Sequence, residues 1–591
     1  MADHSFHIPV MGIGFTIDTP IKVAHYGISS VVSLADDGLA ERMREFYTGK
    51  LGRPFKAISD KIEDFRAKRI TAFLNLMDEI VQQNFNNLTA TMHQKGGEFE
   101  KYMEMLPDFS EIKQRFNQFV EKQTLKEDML NWFNENLTPG SIDVNIMTKL
   151  DKANYIKNEQ LPTEFNDAHA ALRGFAQSNL ESSVVLSAGM NPRLYSYFEQ
   201  FDDFYPDENG HLKKKIILKV SDYRSAFIQG KIFAKKGLWV SEYRIESGLN
   251  CGGHAFATDG FLLGPILEEF KNNREVLIST VHELMATSLK EANRHVPSEP
   301  LKLKITAQGG VGSAEEHQFL MEHYGLDAVG WGSPFLLVPE ATNVDDHTKS
   351  LLSEAKEEDL YLSNISPLGV PFNSLKGNTK DIQKIERIIA GKPGSPCPKK
   401  YLVSNSEYSN KPICTASRSF QDKKLKELES SISDAAVLTR EAEKITVKSC
   451  ICVGLGTSAL KVNQMETKVE GEGVSVCPGP NMAYFSQTVS LKNMVDHIYG
   501  RINVITRTDR PNMFIKELNM YVDYLKNLAA EKTKPIEEKQ KRYLAKFQTN
   551  LNEGIDYYKN MFSKSLANFQ DIKSKTLNEL EYFEKEIKKL V

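Results

Sequence analysis

Residues 301–335 read LKLKITAQGGVGSAEEHQFLMEHYGLDAVGWGSPF. Two short apolar runs, 301–310 and 327–335, each carry glycine turns and are separated by a helix-like stretch, the pattern of parallel strands joined by a crossover helix. Runs of the same kind recur upstream: HIPVMGIG at 7–14, ISSVVSL at 28–34, IDVNIMT at 142–148, SSVVLSAG at 182–189, KKIILKVS at 214–221 and GLWVSEYRI at 237–245. That makes eight runs, the number that closes a (β/α)8 barrel, a fold whose C-terminal strand ends carry the chemistry. The glycines, Asn145, Asn191 and His254 fall at or just beyond those ends. The predicted fold class is therefore α/β, a TIM barrel over 1–35 and 139–345 with the remaining sequence inserted or appended.

Between the second and third runs, 36–138 is charged and amphipathic, as in EDFRAKRITAFLNLMDEIVQQNF, and is too long for a simple crossover. It reads as a helical insertion. Residues 511–591 carry similar material (YLAKFQTNLNEGIDYYKNMF, ELEYFEKEIKKL) without a sustained heptad. We expect the two segments to form one helical subdomain beside the barrel; separate appendages or a dimerising arm are the alternative. The stretch 345–400 is rich in Asp, Ser, Asn, Gly and Pro and reads as irregular. It opens a cysteine-containing extension over 346–510.

With 591 residues, 41% of them apolar and 26% charged, the composition is that of an ordinary globular protein. A formal charge of −4 gives no global attraction to nucleic acid or to an anionic membrane. No run of about 18 apolar residues is present, and MADHSFHIPVMGIGFTIDTP has no basic segment leading into an apolar stretch. The expectation is a cytoplasmic protein with neither nucleic acid nor membrane as partner. Six cysteines in this length do not make a disulfide scaffold. Cys251 stands alone, whereas Cys397, Cys414, Cys450, Cys452 and Cys477 fall in one later segment.

The sixth run leads into ESGLNCGGHAF at 246–256, a glycine pair directly before a histidine. Gly252 and Gly253 let the backbone approach a ligand, and the imidazole of His254 can serve as an acid or base. A tight turn with a hydrogen-bonded histidine is the plainer alternative. Six motifs in register resemble the FMN-dependent nitronate monooxygenases and the flavin-type enoyl-acyl-carrier-protein reductases, which share one barrel. They are MGIGFTIDTPIKVAHYGISSVVSL at the first two strands, VNI at 144–146, AGMNP at 188–192, GGH at 252–254, AQGGV at 307–311 and VGWGSPF at 329–335. The resemblance covers about 1–35 and 140–340. It departs from the family at Asn250 and Cys251, where Glu-Ala is usual, and this bears on the substrate.

The resemblance implies FMN, its phosphate held by backbone N–H groups of Gly309, Gly310, Gly332 and Ser333, with the Ser333 hydroxyl as a further donor. Met11 and Gly12 would lie against the ring and Asn145 would hydrogen-bond it. Lys219 is a candidate cation at the ring's electron-rich edge, or a surface lysine at a strand end. His254 would be the catalytic acid/base, or else a satisfied core histidine. Glu246 supplies a nearby carboxylate, and Cys251 either touches the flavin or is an inert buried thiol. The implied activity is that of an FMN-dependent oxidoreductase, monooxygenase-like or enoyl-reductase-like, acting on a small or acyl-type substrate with NAD(P)H or oxygen as co-substrate. A homo-oligomer is left open.

The five later cysteines lie outside the resemblance. Their clustering suggests thiolate ligation of zinc or an iron–sulfur cluster, although the spacing matches neither a zinc ribbon nor a ferredoxin run. Redox-active or purely structural thiols are the alternatives. Arg418, Asn481 and His497 become substrate-binding candidates if their segments cap the barrel. Two other functions follow from different weightings of these features: an iron–sulfur flavoprotein in electron transfer, and a non-catalytic flavin-fold scaffold.

Overall fold

The computed structural model describes residues 4–92, 96–122, 126–148, 150–187, 189–250, 253, 259–530, 538–564 and 567–590. Eight parallel strands close a barrel: β1 (Phe6–Ile8), β2 (Ser29–Ser33), β3 (Ile142–Ile146), β4 (Ser182–Leu186), β5 (Lys214–Val220), β6 (Val240–Glu246), β7 (Lys304–Gln308) and β8 (Ala328–Gly330). Each strand pairs with its neighbours in sequence, and β8 returns to β1 through Phe6 opposite Val329. Six strands lie within the runs read from the sequence, while β1 begins one residue before its run and β6 ends one residue after its run. Outward residues such as Val32, Val144, Val184 and Leu218 join the main core under the helices, whereas Val31, Val185 and Ile217 form a separate cluster. That division is the period-two alternation of strands.

The turn residues beyond the strands cap the following helices. Asp36 accepts from Leu39 N–H, Asn191 from Leu194 N–H with Pro192 at the first helical position, Asp222 from Ser225 N–H and Ser313 from Glu316 N–H. Each such cap contributes about 1 kcal/mol and sets where a strand-end loop stops.

The insertion is helical, its longest element running from Phe65 to Ala90. That helix packs on Asp167–Ala176, the helix after β3, and on Thr19–Val23, the helix after β1. The C-terminal helices Met513–Ala530, Glu538–Ser563 and Lys573–Lys588 pack on one another, and the first two also touch Leu263–Glu291, the long helix after β6. The expectation of one joint subdomain is therefore corrected: two helical layers cover different parts of the barrel wall. Amphipathic periodicity shows that a face is buried but not what it is buried against.

Residues 346–510 turn back over the C-terminal mouth of the barrel. An antiparallel hairpin, β9 (Leu360–Ser363) with β10 (Phe372–Leu375), and the helix Ile451–Val462 form a roof. The helix docks by backbone approach: Gly14 N–H donates to Leu455 O at 2.9 Å, and a Cβ on Gly14 would stand 2.9 Å from Gly456 O. Among the described residues no single helix is long and apolar enough to cross a membrane. The bent pair Ala435–Thr446 and Ile451–Val462 reaches the length together, but 451–460 is buried within the protein.

Candidate functional site

A cavity of about 220 Å³ lies between the strand ends and the roof. Its floor includes Ser33, Asn145, Lys219, Glu246 and Gln308; Gly12 and Ile13 form one side, and Leu368, Phe372, Tyr401 and Cys452 close it from above. Register explains the floor: Asn145 pairs with Ser33 and Val185, and Glu246 pairs with Gln308, which in turn pairs with Gly330. A Cβ on Gly330 would lie 2.6 Å from Gln308 Cβ and 2.9 Å from His7 Nε2, so glycine makes room there for both side chains.

The Glu246 carboxylate organises the floor. Its Oε1 accepts from Lys219 Nζ at 3.0 Å, Gln308 Nε2 at 2.8 Å and Asn250 Nδ2 at 2.5 Å. Lys219 is thus an ion-paired, mostly buried cation at the cavity and not a surface lysine. Asn145 Oδ1 is buried without a hydrogen-bond partner, whereas Gln308 Oε1 lies beside the equally buried His7 Nε2. An orphaned buried amide oxygen costs about 1–3 kcal/mol, so Asn145 calls for a donor from whatever fills the cavity.

Beside this cavity, sharing Asn250 as a wall, is a space of about 10 Å³ lined by Gly309, Gly310, Gly332 and Ser333. Gly309 and Gly310 hold φ of +110° and +86°, conformations that glycine reaches without strain. A Cβ on Gly309 would stand 2.8 Å from Asn250 N. Glu316 fixes the turn, accepting from Gly312 N–H at 2.9 Å and pairing with Arg510, whose Nη2 also donates to Gly310 O at 3.0 Å. Gly479 N–H donates to Ser333 Oγ at 2.8 Å, and Asn481 Nδ2 donates to Val311 O, so the CPGPN stretch at 477–481 lies over the space. The room left is about that of one water.

The loop after β6 is held at both ends. Glu517, on the first C-terminal helix, accepts from Gly248 N–H at 3.3 Å and Leu263 N–H at 2.8 Å. Gly253 O accepts from Asn373 N–H at 2.8 Å, and Gly253, at φ +88°, lies against Phe372. Cys251, Gly252 and His254 lie outside the described residues. Burial pushes the Glu517 carboxyl up to about 7, against the opposing pull of those N–H groups. The folded state then holds a proton between about pH 4.5 and 7 that the unfolded chain has released. Stability is highest below that window, falls as pH rises through it and is flat above. The expected fall is about 3 kcal/mol, read by urea unfolding from pH 4.5 to 8; Glu517→Gln should flatten the profile, and an unchanged slope would remove the assignment.

The other sequence candidates are dispersed. Gly12 (φ +58°) borders the cavity, while Met11 is buried in the main core with its N–H on Thr16 Oγ1. Arg418 is exposed at the start of a helix. His497 is buried against Trp331, with Nε2 on Gly312 O at 3.0 Å, and so supports the glycine turn. Among the described residues no group of three or more His, Cys, Asp or Glu is set out to hold a metal ion, which corrects the zinc expectation for the late cysteines. Gln308 and Tyr401 were missed. Gln308 occupies the variable place of the A-x-G-G motif; Tyr401 sits in irregular sequence that gave no signal. A wider recess of about 850 Å³ between Glu357, Tyr484 and Lys516 is open and lined by charges paired with each other.

Strand pairing and the position of the cavity define the class: a (β/α)8 barrel with its polar pocket at the C-terminal mouth. No protein-family model matches the chain, and a search of curated proteins returns no match. Among solved structures, FabK from Thermotoga maritima matches at 12% identity over 89% of this chain and 96% of that one, with a TM-score of 0.35. The enoyl reductase domain of MlnA from the macrolactin biosynthesis cluster of Bacillus amyloliquefaciens matches at 14% identity over 74% and 88%, TM-score 0.32. Nitroalkane oxidase from Streptomyces ansochromogenes matches at 10% identity over 84% and 94%, TM-score 0.34. At these scores the barrel rests on the chain's own strand pairing.

Proposed function

We propose that the chain is an FMN-dependent oxidoreductase of the nitronate monooxygenase or enoyl reductase type, acting on a small or acyl-type substrate with oxygen or NAD(P)H as co-substrate. The observation that carries the reading is the orphaned amide oxygen of Asn145 in a roofed cavity whose neighbour is a double-glycine turn. That acceptor suits a planar ring bearing an N–H, and the turn suits a phosphoryl group in chemistry though not in free space. Bound flavin supplies the two-electron exchange with substrate.

The chain's own residues do the rest. Asn145, with Gln308 beside it, would orient the ring, and the Lys219–Glu246 pair would supply a fixed charge arrangement at its site. The amides of Gly309, Gly310, Gly332 and Ser333 would hold the phosphate once the Gly479–Ser333 hydrogen bond yields. Leu368, Phe372 and Leu455 exclude water from above. His254, on the loop pinned by Glu517 and Asn373, moves the proton at the substrate's reacting carbon or heteroatom.

The purified chain should show oxidised-flavin absorbance or acquire it with added FMN, and extraction with mass identification should return FMN. Colourless protein that binds no FMN removes the reading. His254→Ala is expected to keep FMN and lose turnover of a nitronate or an enoyl thioester by about 100-fold; undiminished turnover would remove the histidine from the chemistry.

A further inference from the structure

Four of the five late cysteines come together from three separate stretches. The side chain of Cys397 is in hydrogen-bonding reach of Cys414 and of Cys450, and Cys450 of Cys452. All four are buried and none is in a disulfide. The contacts that gather them are polar and specific. Ser395 N–H donates to Ala416 O and Arg418 N–H to Ser395 O, both at 2.9 Å, tying the Cys397 turn to the Cys414 turn. The fully buried Gln421 donates from Nε2 to the carbonyls of Thr415, Ile445 and Lys448, tying Cys414 to the segment before Cys450. Thr415 Oγ1 and Ser449 N–H then fasten both to the roof hairpin, through Pro367 O and Ile365 O.

The surroundings suit sulfur that carries charge. The backbone N–H groups of Ala416 and Ser417 lie near the Cys414 side chain, and the Ser395 side chain lies near Cys450. Cys450 is the N-cap of the helix Ile451–Val462 and Cys452 lies in its first turn, so the helix N-terminus points at both. Lys380, itself buried, faces Cys450 and Cys452. Apolar packing of thiols needs none of these donors.

We propose that Cys397, Cys414, Cys450 and Cys452 ligate a four-iron iron–sulfur cluster. Each thiolate of such a cluster binds its own iron, so the four sulfurs need not surround a single centre. Cys452 also lines the mouth cavity, so the cluster would border the pocket proposed for the flavin. Cys477, two residues before the Gly479 that covers the glycine turn, has no ligand role in this proposal.

The site is tested on the full chain by anaerobic reconstitution with ferrous iron and sulfide. Iron and acid-labile sulfide should each reach about four per chain, with a broad visible band that bleaches on reduction and a low-temperature electron paramagnetic resonance signal in the reduced state. Cys397→Ser, Cys414→Ser, Cys450→Ser and Cys452→Ser should each lower the iron content at least twofold, and Cys477→Ser should keep it, with circular dichroism confirming folding. Wild-type chain that folds and takes up no iron, or takes up one zinc ion instead, overturns the proposal. So does full cluster content in the four folded serine variants. Iron and sulfide are counted with or without flavin, so failure here is distinct from failure of the FMN reading.

Discussion

Gly310→Asp is expected to weaken FMN binding at least 100-fold. The position holds φ +86°, and a Cβ would press within 2.6 Å of Leu249 Cδ1, on the wall of the glycine space. Holding a non-glycine residue in that backbone region costs about 1–3 kcal/mol, and the new carboxylate repels a phosphoryl dianion at close range. Repulsion between unit charges about 4 Å apart is about 4 kcal/mol at an effective dielectric of about 20, more than the roughly 2.7 kcal/mol that a 100-fold change represents. Titration of the apoprotein with FMN, followed by quenching of flavin fluorescence, measures it. Gly310→Ala carries the strain without the charge and should lose less; wild-type affinity in the Asp variant would place the phosphate elsewhere.

The second large effect is expected at Gly14. A Val side chain there would begin 2.9 Å from Gly456 O and 3.0 Å from Gly456 Cα, both backbone, so the roof helix must back away and the 2.9 Å bond from Gly14 N–H to Leu455 O is lost. Overpacking of this kind costs about 1–3 kcal/mol, and the broken hydrogen bond adds about 1 kcal/mol. Gly456→Ala is the control: its Cβ meets nothing nearer than Leu39 Cδ2 at 3.7 Å and should be close to neutral. Urea unfolding of both variants decides the matter, since equal losses would mean that the close approach does not dock the helix.

The barrel was legible because its signal is local. Each strand announces itself by a short apolar run ending in turn residues; in four units a residue that follows, such as Asn191 or Ser313, caps the next helix, and eight such units admit few closures. The same locality put Asn145, Gly12, Lys219 and the Gly309–Gly310 turn at one end of the molecule, where the structure has them. Met11 packs in the main core, next in sequence to the Gly12 that borders the cavity. Locality failed for the two helical layers, whose periodicity is silent about partners.

By itself, then, the chain's order of residues determined the strands, their parallel succession and the glycine turns at their tips, because those depend on neighbours within a few positions. Only the tertiary structure decided which groups share a space. The Lys219–Glu246–Gln308 bonds, the roof of 364–402 and 451–455, the meeting of four thiols and the hold of Glu517 on Leu263 from 254 residues away all depend on contacts between distant segments. Burial and hydrogen-bond satisfaction choose such partners in three dimensions, and a linear pattern records that a residue is apolar or polar without recording what it will touch.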